Sequence, residues 1–322
     1  MRNLFLIFYL ILFLTSCVNT PNKKSVNIAE SIDIELKRFE VDFYTSKPEN
    51  LELVKQKYPL FFSQNVSDSV WIFKMKDPFE QNLFVETQKK YADFTGISSQ
   101  LVILFDSIQG SFPDFQDPEV ITLVNKLDYF NRVLYSDNTI LISLDLYLGS
   151  SNSVYANFPT YIKQKFEADY IIVDVVKSIV QGKFSSKKTF PFLEKMIEAG
   201  KQQFLINQFL PTLADTLKIG FTEKQLQWAK TNEVFVWTYF NEQQLLQSYD
   251  NSLSHRFLET APFSQFYRVE DSESPGRIAV WIGERIVSSF MQQNDVSLHD
   301  LVALAPSEIF TKSKYKPTKY GN

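Results

Sequence analysis

Residues 119–149 read EVITLVNKLDYFNRVLYSDNTILISLDLYLG, and here the chain changes from helical to strand-like patterns. The stretch is rich in β-branched and apolar residues, which are typical of strands. Ser136-Asp137-Asn138 is a turn signal between two of its apolar runs. We therefore predict a small sheet between Pro118 and Gly149, inside a chain that is otherwise mostly helical. That combination indicates the α+β fold class.

Just upstream, the sequence predicts one more strand. Apolar and polar residues alternate over residues 32–36, and after Lys37-Arg38 the alternation resumes in the opposite phase over residues 39–43. A change of phase within one alternating segment is typical of a strand interrupted by a bulge. We expect two strand halves here.

Helix signals are found on both sides of the predicted sheet. Pro48 and Pro78 stand at first-turn positions of two helices, and a third helix with apolar residues at helical spacing closes at Gly110. Downstream of residue 158 nearly everything has a helical pattern. Thr222-x-x-Gln225 predicts a capping box, and Asn232 predicts a helix cap.

The stretch DSESPGRIAVWIGERIVSSFM, residues 271–291, predicts a central buried helix because it is apolar nearly all round. Ser274 and Pro275 are expected as its N-cap and first residue. Ala279 and Gly283 lie four residues apart on one face, so another backbone can approach closely there.

The charges of this helix need partners. Arg277 is expected in the first turn, where the helix dipole disfavours a cation, on the same face as Trp281 and Glu284. We favour a structural role in which Arg277 pairs with Asp271, Glu273 or Glu284. The functional alternative, which stays open, is that Arg277 binds a carboxylate or a phosphate in a cleft.

A second candidate helix, FEADYIIVDVVKSIVQG at residues 166–182, places two polar side chains in an apolar surround. Asp174 and Ser178 lie one turn apart, the spacing that zinc proteases use for two histidines. Serine rarely ligates zinc, and Val175 stands where a general-base glutamate would be. We therefore predict no metal, no cofactor and no catalytic residue at this position.

Composition excludes several function classes. The net charge is −4 and the pI is about 5.4, so no basic field for nucleic acid is expected. None of the nine glycines falls in a nucleotide-binding pattern. His255 and His299, the two histidines, form no H-E-x-x-H motif and are expected to be ordinary surface or half-buried residues.

The first residues have the order of an export signal. A basic residue precedes eleven apolar residues, which as a helix would cover roughly 16 Å, about half of a bilayer core. Leu14-Thr15-Ser16-Cys17 resembles the lipobox of bacterial lipoproteins, in which the cysteine is lipidated after cleavage. We predict a signal peptide at 1–16, a lipidated flexible tether at 17–31 and a single domain at 32–322.

The tether carries no acidic residue between Cys17 and Ala29. Surface-export tags of some bacterial lipoproteins tend to be acidic, so we expect the chain to face the periplasm. Cys17 is the only cysteine, which excludes disulfides and cysteine nucleophiles from the mature chain. We assign it to membrane attachment.

Several long motifs behind the lipobox together resemble the gliding-motility lipoprotein GldB family. In chain order they are LDLYLG (144–149), FPTYIKQKF (158–166), KIGFTEKQLQWAKTNEVFVWTYFNEQQLL (218–246), APFSQFY (261–267), ESPGRIAVWIG (273–283) and EIFTKSKYKP (308–317). That family is similar in turn to zinc-dependent proteases of zincin-like fold, whose H-E-x-x-H falls at Asp174, Val175 and Ser178 here. The resemblance implies a zincin-like scaffold without its metal.

The resemblance also implies a function and partners. The expected role is a non-catalytic component of the gliding machinery and its linked protein secretion, with other envelope proteins of that machinery as partners. Two alternatives stay open: a peptide- or protein-binding module that reuses the protease cleft, and a metal-independent envelope hydrolase. An apolar groove between the two central helices would favour binding, whereas two carboxyl groups about 5 to 9 Å apart in a cleft would favour the hydrolase.

Overall fold

Four short strands form one mixed sheet in the computed structural model, which describes residues 34–184 and 189–319. The strands are β1 (Leu36–Arg38), β2 (Glu119–Leu123), β3 (Val133–Ser136) and β4 (Thr139–Ser143). Their order in the sheet is β1-β2-β4-β3, with β1, β2 and β4 parallel and β3 antiparallel to β4. The predicted sheet and the α+β class are confirmed.

The predicted turn between β3 and β4 is confirmed in detail. Asp137 and Asn138 both adopt the left-handed conformation, with φ of 48° and 58°. Two consecutive residues of this kind make the tight turn that matches the twist of a two-stranded hairpin. The turn also fixes the register, in which Ser136 lies opposite Thr139.

Helices make up most of the remaining described chain. In chain order they are α1 (Phe39–Tyr44), α2 (Leu51–Lys57), α3 (Asp68–Lys76), α4 (Pro78–Tyr91), α5 (Thr95–Ser111), α6 (Thr160–Lys163), α7 (Tyr170–Phe184), α8 (Phe192–Phe209), α9 (Asp215–Ile219), α10 (Glu223–Thr231), α11 (Glu233–Glu242), α12 (Ser252–Phe257), α13 (Ile278–Gln293), α14 (Leu298–Ala303) and α15 (Pro306–Ser313). Of these described helices, none is both long and apolar enough to cross a membrane.

The second half of the predicted bulged strand is wrong. Residues 39–44 form α1, in which Phe39 and Phe43 lie one turn apart, both buried, with ring centroids 5.1 Å apart. Over so few residues, alternation and helical spacing share two of the same apolar positions, so the pattern was ambiguous. Residues 32 and 33, in the first half of that prediction, lie outside the described residues.

The other helix signals are largely confirmed. Pro48 opens a short 3₁₀ turn before α2, and Asp77 caps α4 by accepting from two backbone N–H groups. The capping box at Thr222 and Gln225 is present. Asn232 does precede α11, but its side chain donates back to the carbonyl of Trp228, 2.9 Å away, instead of capping α11.

The central buried helix is α13, and it crosses α8 in backbone contact. A Cβ atom at Gly283 would overlap the Met196 carbonyl, and one at Gly200 would overlap the backbone of Gly283. Two facing glycines thus permit the close packing of two long buried helices. The prediction that Gly283 admits another backbone is confirmed.

The predicted start of α13 is wrong by three residues. Ser274 is buried and accepts from the backbone N–H of Ser264, at 3.1 Å, instead of capping a helix. A Cβ at Gly276 would overlap the Ala261 carbonyl. This packed turn delays the helix, and Arg277 takes the left-handed N-cap position with φ of 64°.

Three apolar clusters stabilise the described chain. One joins the sheet with α5 and α7, a second joins α8, α11 and α13, and the third packs α1, α2 and α4 against β2. Helix α7 packs on β3 and β4 and also on α8, so it lies where the first two clusters meet. Its polar residues are therefore held on a rigid element.

Candidate functional site

Helix α7 presents three polar side chains on one face. Asp174, Lys177 and Ser178 follow at i, i+3 and i+4, a spacing that aligns side chains along a helix. The opposite face is apolar, and Val173, Val176 and Val180 are fully buried in the core. Packing of that face fixes the direction of the polar one. The hydroxyl of Ser178 lies 3.5 Å from the carbonyl oxygen of Val133.

Asp174 is held by two donors. Arg132 Nη2 donates to one carboxylate oxygen at 3.0 Å, and the hydroxyl of Tyr147 donates to the other at 3.0 Å. The Asp174 side chain is 5% exposed and that of Arg132 is 15% exposed, so this is a largely buried ion pair. Burial and the Asp174 charge hold the pKa of Tyr147 well above its ordinary value, which keeps its hydroxyl a donor.

These residues line a polar cavity of about 440 Å³, large enough for a small ligand. Four of the lining side chains are cationic, and they are Arg132, Lys165, Lys177 and Arg277. They come from the segment before β3, the segment before α7, α7 itself and the N-cap of α13. The apolar groove that would have favoured binding is absent from this place in the described chain, and a basic cavity stands instead.

The positive charges perturb one another. Burial, followed by repulsion from Arg277 and Arg132, lowers the pKa of Lys165 to about 7. Burial also lowers the pKa of Lys177 to about 7, against the attraction of Asp174. The pKa of Arg277 is lowered by burial too, although a guanidinium stays charged at neutral pH.

Most hydrogen-bond donors of the four cavity cations have no acceptor among the described residues. Lys165 is 8% exposed, yet neither its ammonium nor that of Lys177 has a hydrogen bond or an ion pair within 34–184 and 189–319. Arg132 Nη1 is buried without an acceptor. Arg277 donates through Nη1 to the carbonyl of Ile219, at 3.3 Å. A buried donor such as Arg132 Nη1 is costly to leave unpaired.

The prediction that Arg277 forms an ion pair with Asp271, Glu273 or Glu284 is wrong. Asp271 instead accepts from the backbone N–H groups of Tyr267 and Arg268, and Glu284 bonds with Asn207 and Ser288. No carboxylate in the described chain lies within 4.0 Å of the Arg277 guanidinium. The left-handed turn at Arg277 sends its side chain to the cavity, away from the helix face.

The other two residues predicted to share a face with Arg277 belong to a different place. Trp281 and Glu284 line a separate, smaller cavity of about 160 Å³, together with Asp215 and Lys230. Burial raises the pKa of Glu284. The structure thus brings Asp174, Ser178 and Arg277 together and separates them from Trp281 and Glu284.

The residues around Asp174 do not fit a zinc ion. Its two oxygens are engaged by Arg132 and Tyr147, and the further neighbours are cations, which repel a dication. His255 and His299 are 72% and 68% exposed and neither lines the cavity. In the described ranges no three His, Cys, Asp or Glu side chains are grouped as metal ligands.

Comparison with known families identifies the chain. The model of the family described as gliding motility protein GldB matches residues 20–317. The chain belongs to the GldB family. The short name of the family marks its members as lipoproteins, and the match begins three residues after Cys17. No curated protein and no solved structure matches this GldB chain significantly.

Sequence reasoning missed three of the four cations in the GldB cavity. Lys177 carried the best signal, because it is a lysine inside the buried helix pattern of residues 166–182, three positions after Asp174. Arg132 and Lys165 lie in connecting segments, where sequence spacing says nothing about which side chains converge. Cys17 lies outside the described residues.

Proposed function

We propose that this GldB protein is a non-catalytic, lipid-anchored component of the gliding-motility machinery and its linked protein secretion. The observation that carries the proposal is the family match over residues 20–317. The lipobox at Leu14-Thr15-Ser16-Cys17 supports attachment through Cys17, and the absence of acidic residues from Cys17 to Ala29 supports a position facing the periplasm. Its partners are other envelope proteins of the same machinery.

In this proposal the basic cavity binds a ligand and does not catalyse a reaction. Both carboxylate oxygens of Asp174 are already engaged, one by Arg132 and the other by Tyr147. The proposal includes a zincin-like origin of the scaffold. The persistence of α7 in the core, with a polar cavity at the position of the lost motif, supports that origin.

A peptide- or protein-binding role of the same cavity is compatible with this function and would supply its contact to the machinery. The envelope hydrolase is less well supported. The carboxylates that line the cavity are Asp174, which is engaged, and Glu259, which is 55% exposed and lies 2.7 Å from His255 Nδ1. Neither is in the apolar environment that a catalytic acid needs.

Removal of the gene from the bacterium that encodes the chain tests the motility role. Cells without it should lose gliding and the secretion that is linked to gliding, and a plasmid copy should restore both. Unchanged gliding and unchanged secretion in the deletion strain contradict the proposal.

The non-catalytic part is tested separately on the purified full-length lipoprotein in detergent. We expect no peptidase activity and no stoichiometric zinc after dialysis without chelator. Zinc bound at one equivalent, lost together with a peptidase activity in Asp174→Ala, contradicts this part of the proposal. The motility role would be unaffected by that result.

A further inference from the structure

We infer that the basic cavity is a binding site for a phosphate monoester or another compact dianion. The inference deepens the proposed binding role of the cavity, and its biological meaning rests on that proposed function. It is carried by four convergent cations that face one buried carboxylate, and by cavity donors with no acceptor in the described chain.

The charge balance of the cavity favours an anion. Two guanidinium groups and two lysines face the single buried carboxylate of Asp174, while Glu259 lies at the exposed rim and Tyr129 is a neutral phenol. Burying unbalanced charges is unfavourable unless something of opposite sign compensates them. A monocarboxylate would leave part of the positive charge uncompensated, whereas a dianion removes most of it.

The donors are arranged in the way that oxyanion sites require. Arg132 Nη2 is used by Asp174, and its Nη1 is buried and free of an acceptor. Guanidinium groups bind phosphate oxygens through parallel N–H donors, and lysine adds a compact point charge. Lys165 is the strongest single sign, since the residue is only 8% exposed and its ammonium is unpaired within the described residues.

The backbone around Lys165 is shaped to admit its ammonium. Gly220 ends α9 in the left-handed conformation with φ of 77°, and a Cβ there would lie 3.0 Å from Lys165 Nζ. Arg277 contacts the same turn through the carbonyl of Ile219. Lys165 and Arg277 come from distant segments, and both contact the C-terminal end of α9. This shared contact holds the two cations next to the basic cavity.

The mouth of the cavity indicates that the dianion is part of a larger molecule. Phe130 lines it and is 89% exposed, beside Tyr129 and Leu258. Exposed aromatic surface next to an anion site can cover the rest of an esterified ligand. A phosphate ester, more than the free ion, uses both features.

Calorimetric titration of the full-length lipoprotein in detergent, with inorganic phosphate, sulfate, glycerol 3-phosphate and acetate as probes, tests the inference. We expect one site for phosphate and sulfate, and much weaker binding of acetate. Tighter binding of glycerol 3-phosphate identifies an ester as the source of the dianion, and equal binding identifies the free ion. Absence of dianion binding, or acetate binding as tight as phosphate binding, overturns the inference.

Matched variants locate the site. Lys165→Met and Lys177→Met should each weaken sulfate binding by roughly tenfold to a hundredfold, the usual loss for one charge-assisted contact. Lys183→Met removes an exposed lysine of the same helix and should bind as wild type does. Equal binding by all three variants overturns the assignment to this cavity.

The pH dependence of sulfate affinity is a further test, because that affinity would not change with pH if Lys165 and Lys177 had only a structural role. Sulfate does not titrate near neutrality, so its affinity should fall from about pH 6 to about pH 9 as Lys165 and Lys177 lose their protons. Because Arg132 and Arg277 stay charged, some affinity should remain. An affinity that is constant over this range overturns the role of the lysines. Failure of these binding experiments leaves the motility result unchanged, so the two proposals fail separately.

Discussion

Asp174 and Lys177 lie one turn apart on α7, but only the charge of Asp174 has hydrogen-bond partners in the described part of the cavity. Asp174 has two partners, whereas Lys177 has none in the described chain and its pKa is lowered to about 7. A charged residue whose burial cost exceeds the attraction from its neighbours is expected where binding, and not folding, requires it.

Substitution of the two residues should therefore change stability in opposite directions. Asp174→Ala leaves Arg132 buried without its partner and should lower the free energy of unfolding by about 3 kcal/mol or more. Lys177→Met replaces a poorly solvated charge with an apolar side chain of similar length and should raise the melting temperature at about pH 6. Denaturant and thermal unfolding measure both, and a melting temperature lowered by Lys177→Met would contradict the assignment of an unpaired cation.

Stability should depend on pH through Lys165 and Lys177. The pKa of each lysine is about 7 in the folded protein, whereas the unfolded chain has the ordinary lysine value of 10.5. Between these two pH values the unfolded chain therefore binds more protons than the folded protein does. Their contribution therefore makes the protein more stable as the pH rises from about 7 toward 10.5, and least stable below about 7. The difference in unfolding free energy between wild type and Lys165→Met should shrink across this window. A difference that is independent of pH contradicts the depressed pKa.

At the scale of elements, the crossing of α8 and α13 fixes the position of Arg277. Gly283 lies against the carbonyl of Met196, and Gly200 lies against the backbone of Gly283. The backbones of the two helices are therefore in contact where they cross. Arg277 is the N-cap of α13, and the packed turn before it sets the direction of its side chain. Helix packing and cavity geometry are thus coupled through one turn.

Gly283→Ala should be strongly destabilising because its methyl group meets backbone atoms, which cannot change rotamer. We expect a loss of about 3 kcal/mol, at the upper end of overpacking costs. Gly110→Ala is the matched control, since that helical glycine of α5 has no atom within 4 Å of a Cβ. It should gain about 0.5 to 1 kcal/mol from the reduced entropy of the unfolded chain. Chemical denaturation compares the two, and similar effects of both changes would contradict the close crossing.

Elements with a strong local signal could be predicted from sequence, and places set by tertiary contacts could not. The hairpin at Asp137 and Asn138 and the capping box at Thr222 depend on local chemistry and are confirmed. The start of α13 depends on Ser264 and Ala261 packing against its leading turn, which spacing does not reveal. The cavity combines side chains from four separate segments, so only its α7 members could be found in one stretch.

At the scale of the whole molecule, the lipid anchor and the cavity are separable parts of the proposed function. Cys17→Ala should leave an unprocessed precursor or release the protein from the membrane fraction, because one acylated cysteine is the expected attachment. Fractionation and amino-terminal analysis check this. Mature, membrane-bound Cys17→Ala protein with an unchanged amino terminus would contradict lipidation at this residue.

The central claim of our proposal is that ligand binding in the basic cavity is required for the role of this protein in gliding. The gliding speed of cells that carry cavity variants tests this claim most directly. Lys165→Met and Lys177→Met would each replace the chromosomal copy, with Lys183→Met as the exposed control on α7. Immunoblots of the membrane fraction would establish equal amounts of anchored protein. The account predicts that both cavity variants accumulate normally and fail to restore gliding, whereas Lys183→Met cells glide as wild type does. Normal gliding by cells with either cavity variant would contradict it.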